Sequence, residues 1–289
     1  MRAEPIAEPH AFHAEGPVWW PEWSLEGPGE LRYVDMMAGD VLIARGDDVE
    51  RIHVGKVAAA MRPRGAGGAL IALERGFALA TKNDLSDLQV MQPIWDDPSV
   101  RFNDGGCDPA GNFYCGTMAY DQHEGGASLY LLSTEGMASS VLGGLTIANG
   151  IGWAPEGETA YFNDTPTRTI WAFDWEPETG LTERRPWVEL PEDLAGNPDG
   201  LWVDQEGGVW VALYGGSAVH RYVDRKLSQV IEVPGVTNVT ACTFGGEALQ
   251  TLYITTTREN VPNGEQPLAG AVFAVDPGVG GMPALPFGA

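Results

Sequence analysis

Short apolar and aromatic stretches alternate along this chain with clusters of Gly, Asp and Pro. The same unit returns six times: a turn, an apolar-aromatic strand, a gap and a further strand. The anchoring strands are centred on Tyr33, Ile71, Tyr114, Tyr161, Trp210 and Tyr253, at spacings of 38, 43, 47, 49 and 43 residues. Each follows a turn: Gly27-Pro28-Gly29-Glu30, Gly65-Ala66-Gly67-Gly68, Asp108-Pro109-Ala110-Gly111, Pro155-Glu156-Gly157-Glu158, Asp204-Gln205-Glu206-Gly207 and Gly245-Gly246-Glu247. A period of roughly 40–50 residues built from short strands predicts propeller blades. The expected fold is all-β, a six-bladed propeller of four-stranded antiparallel blades. It should fill residues 1–289 as one domain, with each anchoring strand opening its unit.

The repeat also predicts where chemistry collects. Four units carry a polar residue beside a glycine upstream of the anchor: Glu15-Gly16-Pro17, Asn103-Asp104-Gly105, Asn149-Gly150 and Asp199-Gly200. Asn103, Asn149 and Asp199 lie 11, 12 and 11 residues before Tyr114, Tyr161 and Trp210, while Glu15 lies 18 before Tyr33. The insertion at 21–28 absorbs that difference. Each motif alone is an ordinary turn sequence. Turn chemistry, however, would favour all six units equally, and the other two read Ala59-Ala60-Met61 and Thr240-Ala241-Cys242. If the four residues begin the innermost strand of their blades, their side chains ring one mouth of the central channel. Arg101, two residues before Asn103, belongs to the same mouth. Asp121, just after the strand at 113–118, reads equally as a site residue or a plain loop acid.

Composition narrows the field. Hydrophobic residues at 44% fill a sizeable core, and Gly 38 and Pro 21 supply the turns. Residues 1–16 are polar and read as no signal peptide, and the most apolar stretch, 69–80, is broken by Glu74 and Arg75. No membrane span is expected. Three cysteines (Cys107, Cys115, Cys242) have no metal-type spacing, so the cytoplasm is the expected location. Forty acidic against 17 basic residues give a net charge of −23, which repels phosphate backbones and speaks against nucleic-acid binding. Nothing calls for an obligate protein partner.

The familiar catalytic signatures are missing from the sequence. There is no Gly-x-Ser-x-Gly elbow, phosphate loop or dinucleotide fingerprint, and the five histidines are scattered. Carboxylate and carboxamide chemistry remains. Such oxygen donors suit hard divalent cations such as Ca²⁺, Mg²⁺ or Mn²⁺, with Zn²⁺ less specified.

These residues carry a resemblance. Glu15-Gly16-Pro17-Val18-Trp19, the stretch Arg101-Phe102-Asn103-Asp104-Gly105 with Asp108-Pro109-Ala110-Gly111-Asn112-Phe113-Tyr114-Cys115-Gly116-Thr117-Met118, Asn149-Gly150, Pro198-Asp199-Gly200 and the closing Pro267-Leu268-Ala269-Gly270-Ala271-Val272-Phe273-Ala274-Val275 are similar to the gluconolactonase/regucalcin (senescence-marker-protein) family. The resemblance spans essentially the whole chain. It implies a metal-dependent hydrolase of sugar lactones that yields the open aldonic acid without an organic cofactor. The implied metal ligands are Glu15, Asn149 and Asp199, around one divalent cation: Ca²⁺ first, with Zn²⁺, Mn²⁺, Mg²⁺ or Fe²⁺ as alternatives. Arg101, Asn103 and Asp121 fall on its substrate-contacting positions, and Asp199 on the residue that serves as both ligand and general base. Some relatives carry a glutamate pair where Tyr120-Asp121 stands here, which shortens the reach towards a hydroxyl. Two other functions remain open: hydrolysis of other esters or organophosphates, favoured by an apolar pocket, and a non-enzymatic calcium-binding propeller, favoured by loss of Asp199 or Arg101.

Overall fold

The computed structural model describes residues 1–21, 29–46 and 48–288. Six four-stranded antiparallel sheets follow one another around a central axis, as the repeat predicts. The innermost strands are Ala14–Trp20, Ala58–Pro63, Val100–Cys107, Ala148–Trp153, Asn197–Val203 and Val239–Gly245. The anchoring strands around Tyr33, Ile71, Tyr114, Tyr161, Trp210 and Tyr253 are therefore the second of each blade, not the first. The turn ahead of each anchor is the hairpin that joins the inner strand to the second. That of the first blade, with the 21–28 insertion, lies largely outside the described residues.

Inner strands are buried along nearly their whole length, whereas the outermost strand of the first blade, Asp48–His53, is mostly exposed. Edge strands that carry charge and face water resist pairing with other chains. Beside Asn149 and Asp199 the inner strands of neighbouring blades approach so closely that only glycine fits. A Cβ on Gly150 would lie 2.3 Å from the Leu201 nitrogen, and one on Gly200 would lie 2.5 Å from the Ala241 Cβ. These glycines follow Asn149 and Asp199 because neighbouring blades leave no room, not because the chain turns there.

The sixth blade is completed from the opposite end of the chain. Its third strand, Val272–Val275, pairs with Glu4–Pro5, matching Glu4 to Ala274 and Pro5 to Phe273. Closure of this kind removes open sheet edges. Among the described residues, no helix is long and apolar enough to cross a membrane.

The hairpins are held by buried acids. Asp204 accepts hydrogen bonds from the Glu206 and Gly208 amides at 2.9 and 2.8 Å, from Trp210 Nε1 at 2.7 Å and from Arg221 Nε at 2.7 Å. In the third blade, Asp108 likewise accepts from the Ala110 and Asn112 amides. Removing one partner of a buried ion pair such as Asp204 with Arg221 typically costs about 3–5 kcal/mol. Asp204→Ala is therefore expected to lose stability on that scale, read as a lowered denaturant midpoint. An unchanged midpoint would show that the Asp204 network holds nothing together.

Candidate active site

One mouth of the channel opens into a cavity of about 260 Å³. Glu15, Arg101, Asn103, Asn149 and Asp199 all line it. They come from four inner strands and are each at most 6% exposed. Every inner strand carries an irregularity of pairing at this level: between Glu15 and Val18, Ala58 and Ala60, Phe102 and Gly105, Ala148 and Ile151, Pro198 and Leu201, and Val239 and Ala241. A bulge places an extra residue on one strand and re-aims its side chain. Asn103, Asn149 and Asp199 occupy these bulges within strands, rather than the turns their sequences suggest.

The polar groups divide into those already paired and those left over. Asn103 accepts from Arg101 Nη1 at 2.8 Å and donates through Nδ2 to the Ala148 carbonyl at 3.0 Å. Asn103 thus fixes the guanidinium and ties the third blade to the fourth. Arg101 Nη1 also reaches the Phe102 carbonyl at 3.0 Å, while its buried Nε has no partner among the described residues. Asn149 donates through Nδ2 to Thr165 Oγ1 at 3.0 Å, and its buried Oδ1 has no partner among the described residues. The Asp199 backbone carbonyl is held by Asn163 Nδ2 at 2.7 Å.

The carboxylates are strongly perturbed. Burial, then the nearby charge of Asp104, pushes Glu15 up to about 8, although the Gly16 amide and Arg101 pull the other way. Burial, then Glu15 and Asp104, raises Asp199 well above the usual carboxylate range, against the opposing pull of Asn149. Asp104 is itself buried, accepts from the Gly105 amide at 2.7 Å and lies outside the cavity lining. Like charges in a water-poor site cannot all ionise unless a cation joins them. Among the described residues, no three His, Cys, Asp or Glu side chains gather as a metal cluster. The donor set here is two carboxylates and a carboxamide, and the orphaned Asn149 Oδ1 is the oxygen that a hard cation would take up.

This electrostatics has a measurable consequence. A carboxyl whose pKa rises on folding binds protons more tightly in the folded chain, so its stabilisation is complete below the unfolded value and fades as pH climbs through the folded one. For Glu15 that window runs from 4.5 to about 8. In chelator, the melting temperature of the wild type is expected to fall more steeply between pH 5 and pH 8 than that of Glu15→Gln. Parallel curves in differential scanning fluorimetry would contradict the strained carboxylate.

Asp121 does not join the cavity. Its side chain is 74% exposed, and it pairs with His123 Nδ1 at 2.6 Å, which holds its carboxyl below the usual range. Tyr120 and Gln122, on either side, line the cavity instead. The turn that follows the strand Phe113–Ala119, closed by the Gln122 amide donating to the Ala119 carbonyl at 3.0 Å, thus sends 120 and 122 inwards and 121 out. The Tyr120 hydroxyl donates to Glu74 at 2.7 Å, and its ring centroid stands 5.9 Å from the Arg101 guanidinium.

A second ring of residues escaped the sequence reading. Tyr120, Thr165, Tyr214 and Glu259 lie 6, 4, 4 and 6 residues after Tyr114, Tyr161, Trp210 and Tyr253, and all line the cavity. Antiparallel second strands return the chain to the mouth where the inner strands began, so counting forward from the anchors would have found them. Glu259 also faces His13, with Oε2 3.4 Å from Nδ1.

The fold and this mouth define a class: a six-bladed propeller whose inner strands converge carboxylates, carboxamides and one guanidinium on the channel opening. The family described as the SMP-30/Gluconolactonase/LRE-like region matches residues 13–258, and the chain belongs to it. Among its relatives is YvrE of Bacillus subtilis (strain 168), provisionally named a sugar lactone lactonase, 33% identical with 97% of each chain covered. The regucalcin of Sus scrofa is 30% identical over 99% of this chain and 98% of its own. A calcium-binding regucalcin from Agrobacterium tumefaciens shares the fold with a TM-score of 0.88 at 24% identity, covering 97% of this chain and 95% of that one.

Proposed function

We propose that this protein hydrolyses sugar lactones with the help of one divalent cation held by Glu15, Asn149 and Asp199. The observation that carries the reading is the buried Asn149 Oδ1, without a partner among the described residues, set in one cavity with two carboxyls that burial and neighbouring acids push above the usual carboxylate range. The all-oxygen donor set favours Ca²⁺ over softer ions. A relative named as a sugar lactone lactonase and another named as calcium-binding support the same direction. When bound, the cation would polarise the lactone carbonyl and favour the oxyanion that forms on attack.

The chain's own residues do the rest. Asp199 takes a proton from the attacking water, its basicity raised by burial. Arg101, locked by Asn103 and Phe102, presents the part of its fork that lines the cavity to ring hydroxyls. Tyr120, Asn197, Tyr214 and Asn260 add further polar groups around the cavity. Such a lining suits a polyol better than the apolar ester or organophosphate that the same fold could serve.

Arg101→Ala tests the recognition half of this reading. A site built to pair hydroxyls rejects analogues without them by leaving its own polar groups unpaired. The variant is expected to lose about 10–100-fold in kcat/KM on multiply hydroxylated five- and six-carbon lactones and little on unsubstituted ones. Equal losses on both classes would reassign Arg101 to the reacting carbonyl or to the fold. Acid release across the same panel, with each divalent cation in turn, tests the activity itself.

A further inference from the structure

The inner strands that build the polar mouth also run to the opposite end of the channel. There, Gly106 and Cys107 follow Asn103, Ile151 to Trp153 follow Asn149, and Leu201 to Val203 follow Asp199, and together they line a second cavity of about 180 Å³. The C-terminal segment lies across this end. Trp202 Nε1 donates to the Met282 carbonyl at 3.0 Å, the Met282 amide to the Val203 carbonyl at 3.2 Å and the Phe287 amide to the Pro63 carbonyl at 2.8 Å. The walls are largely apolar, formed by Ile151, Leu201, Trp202, Met282 and Leu285.

Among the described residues lining this space, one is a buried cation. Arg62, 7% exposed, comes from the inner strand of the second blade, one of the two blades without an oxygen donor at the polar mouth. Its Nη1 donates to the Met61 carbonyl at 2.7 Å, and its guanidinium carbon stands 5.8 Å from the Trp202 ring centroid. A Cβ on Gly106 would lie 2.9 Å from the Ile151 carbonyl oxygen and 3.6 Å from Nη2, which places this glycine beside that edge of the fork. Among the described residues, Arg62 makes no ion pair. Asp104, on the inner strand of the neighbouring third blade, feels the Arg62 charge, which opposes the upward push that burial gives its carboxyl. The other acid along the lining, Glu156, sits in an exposed turn where water and salt screen it.

From this arrangement we infer a second binding site, at the end of the channel away from the catalytic mouth, for a small monocarboxylate with a compact apolar body such as a single aromatic ring. The planar fork of Arg matches a carboxylate in two-point contact. Apolar walls with one oriented polar group are the usual make-up of a small-molecule pocket. A cavity of roughly 150 Å³ suffices for benzene, so this one is the right size for one ring and its carboxylate. A polyhydroxy acid does not fit, because its hydroxyls would find almost no partners on these walls. The site rests on the lower cavity alone and stands whether or not the upper mouth hydrolyses lactones.

Benzoate is the probe. The full chain is titrated at neutral pH by calorimetry and tryptophan fluorescence, with benzyl alcohol and gluconate in parallel. Benzoate is expected to bind saturably, about tenfold or more tighter than benzyl alcohol, the scale of a charge-assisted hydrogen bond. Gluconate should leave its isotherm unmoved. Arg62→Met should weaken benzoate about tenfold or more, while Arg101→Ala should bind it as the wild type does. Should Arg62→Met fail to fold, Leu285→Trp fills the cavity from the C-terminal segment and is expected to abolish binding. A crystal soaked with 4-bromobenzoate should place the bromine among Ile151, Leu201 and Trp202. Equal affinity for benzoate and benzyl alcohol, displacement by gluconate, or bromine found only at the catalytic mouth would each overturn the site.

Discussion

Asp199→Asn is expected to lower turnover on sugar lactones by roughly 10²–10⁴ while leaving the cation bound, the loss typical of a missing general base. The reason lies in what asparagine keeps. Its Oδ1 can still face a cation, and the neighbouring Gly200 packs against Ala241 regardless of the side chain at 199. What vanishes is the group that accepts a proton from water. Asp199→Ala should lose both roles, weakening metal binding as well as turnover. Kinetics on a metal-loaded sample, with metal content measured on the same preparation, separates the two. Near wild-type turnover by Asp199→Asn would mean that another group activates the water, and His13 with Glu259, 3.4 Å apart in the same cavity, would be the first place to look.

Exhaustive chelation is expected to abolish hydrolysis altogether, and restoring a divalent cation should bring it back. Independently of activity, the cation should raise the melting temperature, because anything that binds only the folded chain stabilises it by mass action: about 2.7 kcal/mol at a hundredfold excess over Kd. That stabilisation should be larger at pH 8 than at pH 5, since at the lower pH protons compete for Glu15, whose pKa is pushed up to about 8. Glu15→Gln should bind the cation more weakly and keep the propeller intact. Full activity in a demonstrably metal-free preparation would falsify the proposed ligand set.

The blade count was legible because six hairpins repeat the same turn before the same kind of strand. The place of those strands within each blade was not. Inner strands such as Asn197–Val203 read locally as turns, with Pro198, Asp199 and Gly200 in succession. Their strand character comes from burial between neighbouring blades, a tertiary effect that local propensity does not carry. The convergence of Glu15, Arg101, Asn103, Asn149 and Asp199 could still be anticipated, since positions equivalent in a radial repeat are equivalent in space. Asp121 could not be placed the same way. Beyond a strand end the phase of alternation is set by the particular turn, and one residue decides whether a side chain faces the cavity or water. Arg62 was invisible for another reason: its significance depends on the C-terminal segment that crosses the far end of the channel.

The pairing of Glu4–Pro5 with Val272–Val275 also sets the order in which the molecule can be finished. Glu4 waits for Ala274 and Pro5 for Phe273, far along the chain, so the ring stays open until that distant strand has been made. The entropic cost of so long a closure is modest, because it grows only with the logarithm of the loop. Its effect is on timing. Early structure must come from neighbouring strands within single blades, and the step that joins the two ends is a late, rate-shaping event of the kind that slows folds rich in distant contacts.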